Sequence, residues 1–322
     1  MNTFRHFGMC ALRFGFAAAA LFGLGVVAHA QAGNVTARYE SNTLYIDGDA
    51  FNNSFRATQN AAGLITIVGL NGTTVNGLPQ VSFPALGLIA VDIKTDAGND
   101  TFSLIGLRAE SDLKVDAGDG NDTVILSGGF SGAVVDIFMG MGDDRITGSS
   151  LNVFGDLYMD TGEGIGNINL NGATVGGNLT AITKDANDVV RLTNASVAGD
   201  IFVETAKGAD LVSASFLTAS KSLSINTDLG ADRVALSNST IAEDAVVSTG
   251  DDNDIVTLTN LLSNKSFTVS LDAGADRLTA AGVQVAMDGV FNGGAGTDTL
   301  QGLATIVAGV KREVVEFEVF LP

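Results

Sequence analysis

From Val91 onward the apolar positions of this chain recur at a constant step of 22 residues. Val91, Leu113, Val135, Leu157, Leu179, Ile201 and Leu223 form one series. Ile93, Val115, Ile137, Met159, Val203, Ile225, Val247 and Val269 follow two residues later. Phe102, Val124, Ile146, Ile168, Val190, Val212, Val234, Val256, Leu278 and Leu300 form a third series, and Val153, Val175, Val197, Ile241, Val285 and Val307 a weaker fourth. Within one copy, Gly177 to Ala198, the apolar residues alternate with polar ones in three short bursts: Leu179 and Ala181, Val190 and Leu192, Ala195 and Val197. Period-two alternation predicts strands. Asn194, Asn238 and Asn260 mark one corner between bursts, and Gly with Asp mark another. Strands this short bury no face alone. Stacking each on its equivalent one repeat away does, and the pattern therefore predicts an all-β, parallel β-helix of about ten 22-residue coils. The usual crossover preference makes it right-handed. At a strand spacing of ~4.8 Å the rod is roughly 45–50 Å long.

The repeat register spans 87–302. Residues 31–86 lack it. Val35 to Tyr39, Thr43 to Ile46, Phe55 to Thr58 and Leu64 to Val68 read as strands, with turns at Asp47-Gly48 and Asn71-Gly72. They predict an N-terminal β cap over the open edge of the first coil. At the other end, residues 303–322 predict a C-terminal cap strand in which Val315, Phe317 and Val319 alternate with Glu316, Glu318 and Phe320.

Residues 1–30 read differently. Arg5 and Arg13 flank an apolar run from Phe14 to Val27, and Ala28-His29-Ala30 has the small-x-small form of a signal-peptide cleavage site. The run is too short and too rich in Gly and Ala for a permanent span. The mature chain is thus expected to begin near Gln31, to be secreted or held at the cell surface, and to contain no transmembrane segment. His6, His29 and Cys10, the only histidines and cysteine, leave with the leader. A Ser-His-Asp triad, a cysteine nucleophile, a His or Cys zinc site and any disulfide are excluded from the remainder. Fifteen basic residues then face 36 acidic ones, a net charge of −21. That balance argues against a nucleic-acid partner or an anionic membrane surface.

The acidic residues are ordered. Asp100, Asp122, Asp144, Asp188, Asp210, Asp232, Asp254, Asp276 and Asp298 share the 22-residue step, with Gly166 in place of the fourth member. At ~4.8 Å each neighbouring pair of carboxylates costs on the order of 1 kcal/mol in water and up to ~3.5 kcal/mol at an effective dielectric of about 20. Calcium between the coils would offset this. So would hydrogen bonds from the backbone of each aspartate's own turn, helped by Arg145, Arg233, Arg277, Lys184 and Lys207. The turns Gly118-Asp-Gly120-Asn-Asp122-Thr-Val124, Gly140-Met-Gly142-Asp-Asp144-Arg-Ile146 and Gly293-Gly294-Ala-Gly296-Thr-Asp298-Thr-Leu300 read G-x-G-x-D-x-apolar. This resembles the nonapeptide turn of repeats-in-toxin (RTX) proteins, whose stacked turns hold calcium. The resemblance implies calcium ligands at Asp100, Asp119, Asp122, Asp143, Asp144 and Asp298. It is confined to the turns: RTX nonapeptides are contiguous, whereas here one such turn occurs per coil, and from Lys184 onward the glycines thin out. The layout of leader, β cap and coils is also similar to that of secreted bacterial β-strand-repeat proteins.

Other candidates are weaker. Asp92, Lys94, Lys114, Asp116, Asp136 and Asp160 point outward on one face of the first four coils, a carboxylate set that could support polysaccharide hydrolysis or β-elimination. Their signs alternate from coil to coil, as in a solvated ladder of cross-strand ion pairs, and an uninterrupted repeat leaves no room for the long loops of a sugar-cleaving groove. Thr95, Thr161, Thr183, Thr205, Thr227 and Thr249 align in the inward phase and read as corner residues that satisfy backbone groups. Outward positions such as Ser103, Ile125, Thr147, Asn169 and Arg191 show no uniform chemistry, so no ordered binding face is expected. The expected function is that of a non-catalytic, exported structural or adhesive β-solenoid, stabilised by calcium at its aspartate corner. Extracellular polysaccharide or cell-surface components are its expected partners. The alternative is a polysaccharide-active lyase or hydrolase.

Overall fold

A computed structural model describes residues 32–85, 87–129, 132 and 134–321. The expected leader, with both histidines and the cysteine, lies outside the described residues.

The protein is an all-β parallel solenoid of about ten stacked coils. Strands of the first burst, from Ala90–Lys94 to Asp288–Asn292, form one sheet at a strict 22-residue register. Val91 pairs with Leu113, Leu113 with Val135, and the series runs on through Leu157, Leu179, Ile201 and Leu223 to Ala245 and Phe267. The second burst stacks in the same way from Phe102 to Leu300. Third-burst strands are two residues long in the middle coils, as at Ser196–Val197, and merge with the second burst in Arg233–Ile241, Ile255–Ser263 and Arg277–Val285. Alternation places every second side chain inward, and the inward files join into one apolar core running from Val35 to Phe317. Aromatic rings fill its ends: Phe55 stacks on Phe102 with centroids 4.9 Å apart, and Phe267 meets Phe291 edge-on at 5.9 Å.

Corners close the coils. Gly106, Gly128, Ser150, Gly172, Asn194, Phe216, Asn238, Asn260 and Gly282 occupy one corner, each left-handed with φ between 49° and 82°. Glycine and asparagine tolerate that conformation best, which explains the punctuation in the sequence. At the aspartate corner glycine is needed for a second reason. A Cβ at Gly118 would overlap the carbonyl oxygen of Asp96 in the coil before it.

The flanks differ from separate caps. Thr43–Asp47 and Ser54–Gln59 already pair in parallel with Ala90–Lys94 and Thr101–Ile105, so the N-terminal region begins the solenoid itself. Its antiparallel partners, Asn34–Glu40 and the pair Leu64–Gly69 and Gln80–Pro84, fold over that first coil. At the other end Gly302 turns left-handed and opens a 3-10 turn at Leu303–Thr305. The turn adds one residue, so Val283 pairs with Ile306 and Val285 with Ala308. The step of 22 predicts Val307 inward. Instead Ile306 is buried and Val307 is 60% exposed. In place of one cap strand, Ile306–Ala308, Lys311–Val315 and Val319–Leu321 each pair in parallel with the preceding coil.

Candidate functional site

The aspartate file lies inside the corner. All nine of its members are at most 2% exposed. The Oδ1 of each accepts the backbone N–H of the residue one coil earlier. Asp100 N–H donates to Asp122 at 2.7 Å, Asp122 to Asp144 at 2.7 Å, and Asp188, Asp210, Asp232, Asp254 and Asp276 each donate to the next member at 2.7–2.8 Å. Asn53 N–H opens the ladder on Asp100 at 2.6 Å, and Gly166 N–H donates to Asp188 at 2.6 Å. These bonds cross between coils, which corrects the expectation that each aspartate binds its own turn. The file breaks where Gly166 carries no side chain. There Asp144 N–H turns to the Ile165 carbonyl at 2.8 Å, and the Thr161 hydroxyl fills the space a side chain at 166 would take.

A second ladder runs beside it in the opposite sense. Asn99 Oδ1 accepts Asn121 N–H at 2.9 Å, Asn121 Oδ1 accepts Asp143 N–H at 3.0 Å, and Asp143 Oδ1 accepts Ile165 N–H at 3.0 Å. The turn backbones are zipped as well. Asp119 N–H donates to the Asp96 carbonyl, Met141 to Gly118 and Glu163 to Gly140, while Gly120 donates to Met141 and Gly142 to Glu163, all at 2.7–3.2 Å. The carbonyls of Asp96, Gly118, Gly140, Met141 and Glu163 are thus paired with amides.

Each file carboxylate keeps one oxygen, Oδ2, buried and without a hydrogen-bond partner. An ionised carboxylate in that position is costly. Burial is accordingly the main cause that lifts Asp254 to about 8, Asp122 and Asp210 to about 7, and Asp100, Asp144, Asp232 and Asp276 to about 6. Asp188 and Asp298 are raised too. The donated amides pull the other way, and for Asp122 the carboxylates of Asp100, Asp144 and Asp119 add to the rise. Desolvation therefore outweighs the repulsion between neighbouring carboxylates. Of the five basic residues expected to help, three bond elsewhere: Arg145 to Thr147 at 3.3 Å, Arg277 to Gln301 at 2.6 Å, and Lys207 to Asp185 at 3.7 Å. The threonine file is buried as expected. Thr95 and Thr227 donate to carbonyls one coil on, at 2.9 and 3.3 Å, and the hydroxyls of Thr183, Thr205 and Thr249 lie beside Asp188, Asp210 and Asp254 and favour their ionised form against the larger effect of burial.

The six residues implied as calcium ligands thus divide into two sets. Asp100, Asp122, Asp144 and Asp298 sit in the buried ladder with Oδ1 committed to an amide. Asp119 and Asp143 are exposed, and Asp119 borders a shallow depression with Lys94, Asp96 and Asp116. Calcium takes six to eight oxygens; a rung of the ladder leaves one uncommitted carboxylate oxygen. Among the described residues no group of three or more Asp or Glu side chains is arranged to hold a metal ion.

On the first sheet's outer face, Asp92, Lys114 and Asp136 lie side by side in register, as do Lys94, Asp116, Phe138 and Asp160. The signs alternate in the first row, whereas uncharged Phe138 interrupts the second between Asp116 and Asp160, and ion pairs form elsewhere, as in Lys265–Glu243 at 3.5 Å and Arg38–Asp47. The same rows hold an aromatic pair that the expectation of no uniform face did not include: Phe138 packs against Tyr158 with ring centroids 5.2 Å apart. Aligning outward positions by the step of 22 is the signal that finds it. No protein-family model matches this chain, and no curated protein or solved structure matches it.

Proposed function

We propose that the protein is an exported, non-catalytic rod with a structural or adhesive role. One observation carries this reading: the repeated aspartates, the most regular chemistry in the chain, are buried and each holds the amide of the neighbouring coil. A catalytic carboxylate must reach a substrate; these reach backbone. The leader-like N-terminus supports export, and the acidic surface supports a role in water rather than on an anionic surface. In the same reading the ladder does the work that calcium does in RTX turns.

The test is turnover. The purified protein is incubated with a panel of neutral and acidic polysaccharides while new reducing ends and unsaturated uronide products are followed. No product is expected. Product formation abolished by Asp116→Asn or Asp136→Asn, with the melting temperature intact, would overturn the reading in favour of the lyase or hydrolase.

A further inference from the structure

Coils three to six depart from the repeat in two ways at one place. The aspartate file is broken there by Thr161-Gly-Glu-Gly-Ile-Gly166, and the outer face of the first sheet becomes aromatic. Tyr158 pairs with Thr180 and Thr180 with Phe202, so the two rings stand two strand spacings apart, ~9.6 Å along the rod. Phe138 and Phe202 are 36% and 37% exposed. Further on, the same outward rows carry aliphatic or polar residues and no ring: Ser224, Val246, Thr268 and Val290 in one, Asn226 and Ser248 in the other. Beside the rings lies a depression of about 280 Å³ walled by Phe138 and the half-exposed Met141, with Asp160, Glu163 and Lys184 on its rim. Asp160 is held in place: Oδ1 accepts Gly162 N–H at 2.8 Å and Oδ2 accepts the Tyr158 hydroxyl at 3.4 Å. In a scaffold whose stability rests on uniformity, a local departure from the repeat points to function.

We infer that Phe138, Tyr158, Phe202, Asp160, Glu163 and Lys184 form a binding subsite for a neutral, extended polysaccharide lying along the rod axis. Flat aromatic faces stack on the C–H faces of sugar rings, while carboxylates accept from sugar hydroxyls and the lysine ammonium donates to them. The axial spacing of Tyr158 and Phe202 suits a ligand that repeats along a line. The chain's net negative charge opposes an acidic polysaccharide. The inference rests on the non-catalytic reading, in which the glycan is held and not cleaved.

Affinity electrophoresis of the purified protein through gels containing hydroxyethyl cellulose, with polygalacturonate gels as the acidic arm, tests it. The neutral gel retards the protein, the acidic gel does not, and Phe138→Ala or Tyr158→Ala weakens retention at least tenfold with an unchanged circular dichroism spectrum. Phe320→Ala, at an exposed ring on the far end of the chain, serves as control and leaves retention unchanged. Absence of retardation, retardation by polygalacturonate alone, or equal loss in Phe320→Ala would overturn the subsite. Retention accompanied by cleavage of the gel polymer would instead sink the non-catalytic reading and leave the subsite standing.

Discussion

The backbone N–H of Asp298 donates to Glu318 Oε2 at 2.7 Å, across a separation of 20 residues where the aspartate-to-aspartate rungs of its file span 22. The longer glutamate side chain makes up for the irregular last coil and supplies the carboxylate that a tenth aspartate would have brought. Glu318→Ala leaves that partly buried amide without its acceptor and is expected to cost about 1–2 kcal/mol. Glu318→Gln keeps an acceptor oxygen and should cost less. Amide hydrogen exchange at Asp298 reads the difference locally, and equal protection in all three proteins would show that the rung is idle.

The ladder also sets the sign of the pH dependence. Unfolded aspartates titrate near 3.8, whereas burial in the fold pushes Asp100 up to about 6, Asp122 to about 7 and Asp254 to about 8. Because folding raises these values, the folded chain holds more protons over that window. Their stabilising contribution is complete below about pH 4 and is lost as pH rises through 6 to 8. The melting temperature is therefore expected to be higher at pH 5 than at pH 8.5. Asp254→Asn keeps the Oδ1 acceptor and removes the charge; it should stabilise the protein by ~1–3 kcal/mol at pH 8.5 and change little at pH 5. A melting temperature that rises with pH, or an Asp254→Asn variant equally destabilised at both, would show that the carboxylates are ionised and satisfied.

Most of the architecture was legible because a solenoid puts equivalent residues on top of one another, so burial appears in the sequence as a fixed step. Val91, Ile93 and Phe102 needed only that step to be placed. The site was less legible. Spacing says that Asp100, Asp122 and Asp144 stack, but not whether each carboxylate turns to its own backbone or to the next coil's, since that depends on side-chain direction across a gap of one strand spacing. Val307 was misplaced because one residue added after Gly302 shifts everything beyond it. Phe138 and Tyr158 were overlooked because an outward cluster breaks the repeat, and a search for uniformity discards what breaks it.

Phe216 occupies the left-handed corner with φ of 53° and its ring 58% exposed, flanked in its column by Asn194 and Asn238. A side chain with a Cβ pays roughly 1–2 kcal/mol in that conformation, with asparagine penalised least after glycine. Asn260 Nδ2 already donates to Asn238 Oδ1 at 3.1 Å. Phe216→Asn would extend that side-chain ladder while relieving the backbone. Its urea midpoint is expected to rise, by about 1 kcal/mol in stability, with an unchanged denaturant slope. A fall would mean that the ring makes packing contacts worth more than the strain.

Calcium and protons make opposite demands on the same carboxylates, and this separates the two accounts of the aspartate corner. An ion held between coils requires ionised aspartates, so its effect would grow with pH; the buried ladder costs least when the aspartates are neutral, because desolvation outweighs the amide bonds that favour the charge. A ligand that binds only the folded chain adds ~2.7 kcal/mol per site at one hundred times its dissociation constant, a shift easily seen in a melt. Metal-stripped protein at pH 8.5 is expected to melt at the same temperature with millimolar calcium as with millimolar magnesium, because each Oδ1 of the file is already paired with an amide. A calcium-specific rise at pH 8.5 that vanishes at pH 5, and that Asp122→Ala or Asp144→Ala weakens, would place an ion on the orphaned Oδ2 atoms. The same rise weakened only by Asp119→Ala or Asp143→Ala would put the ion on the outer rim of the corner and leave the buried ladder as it stands.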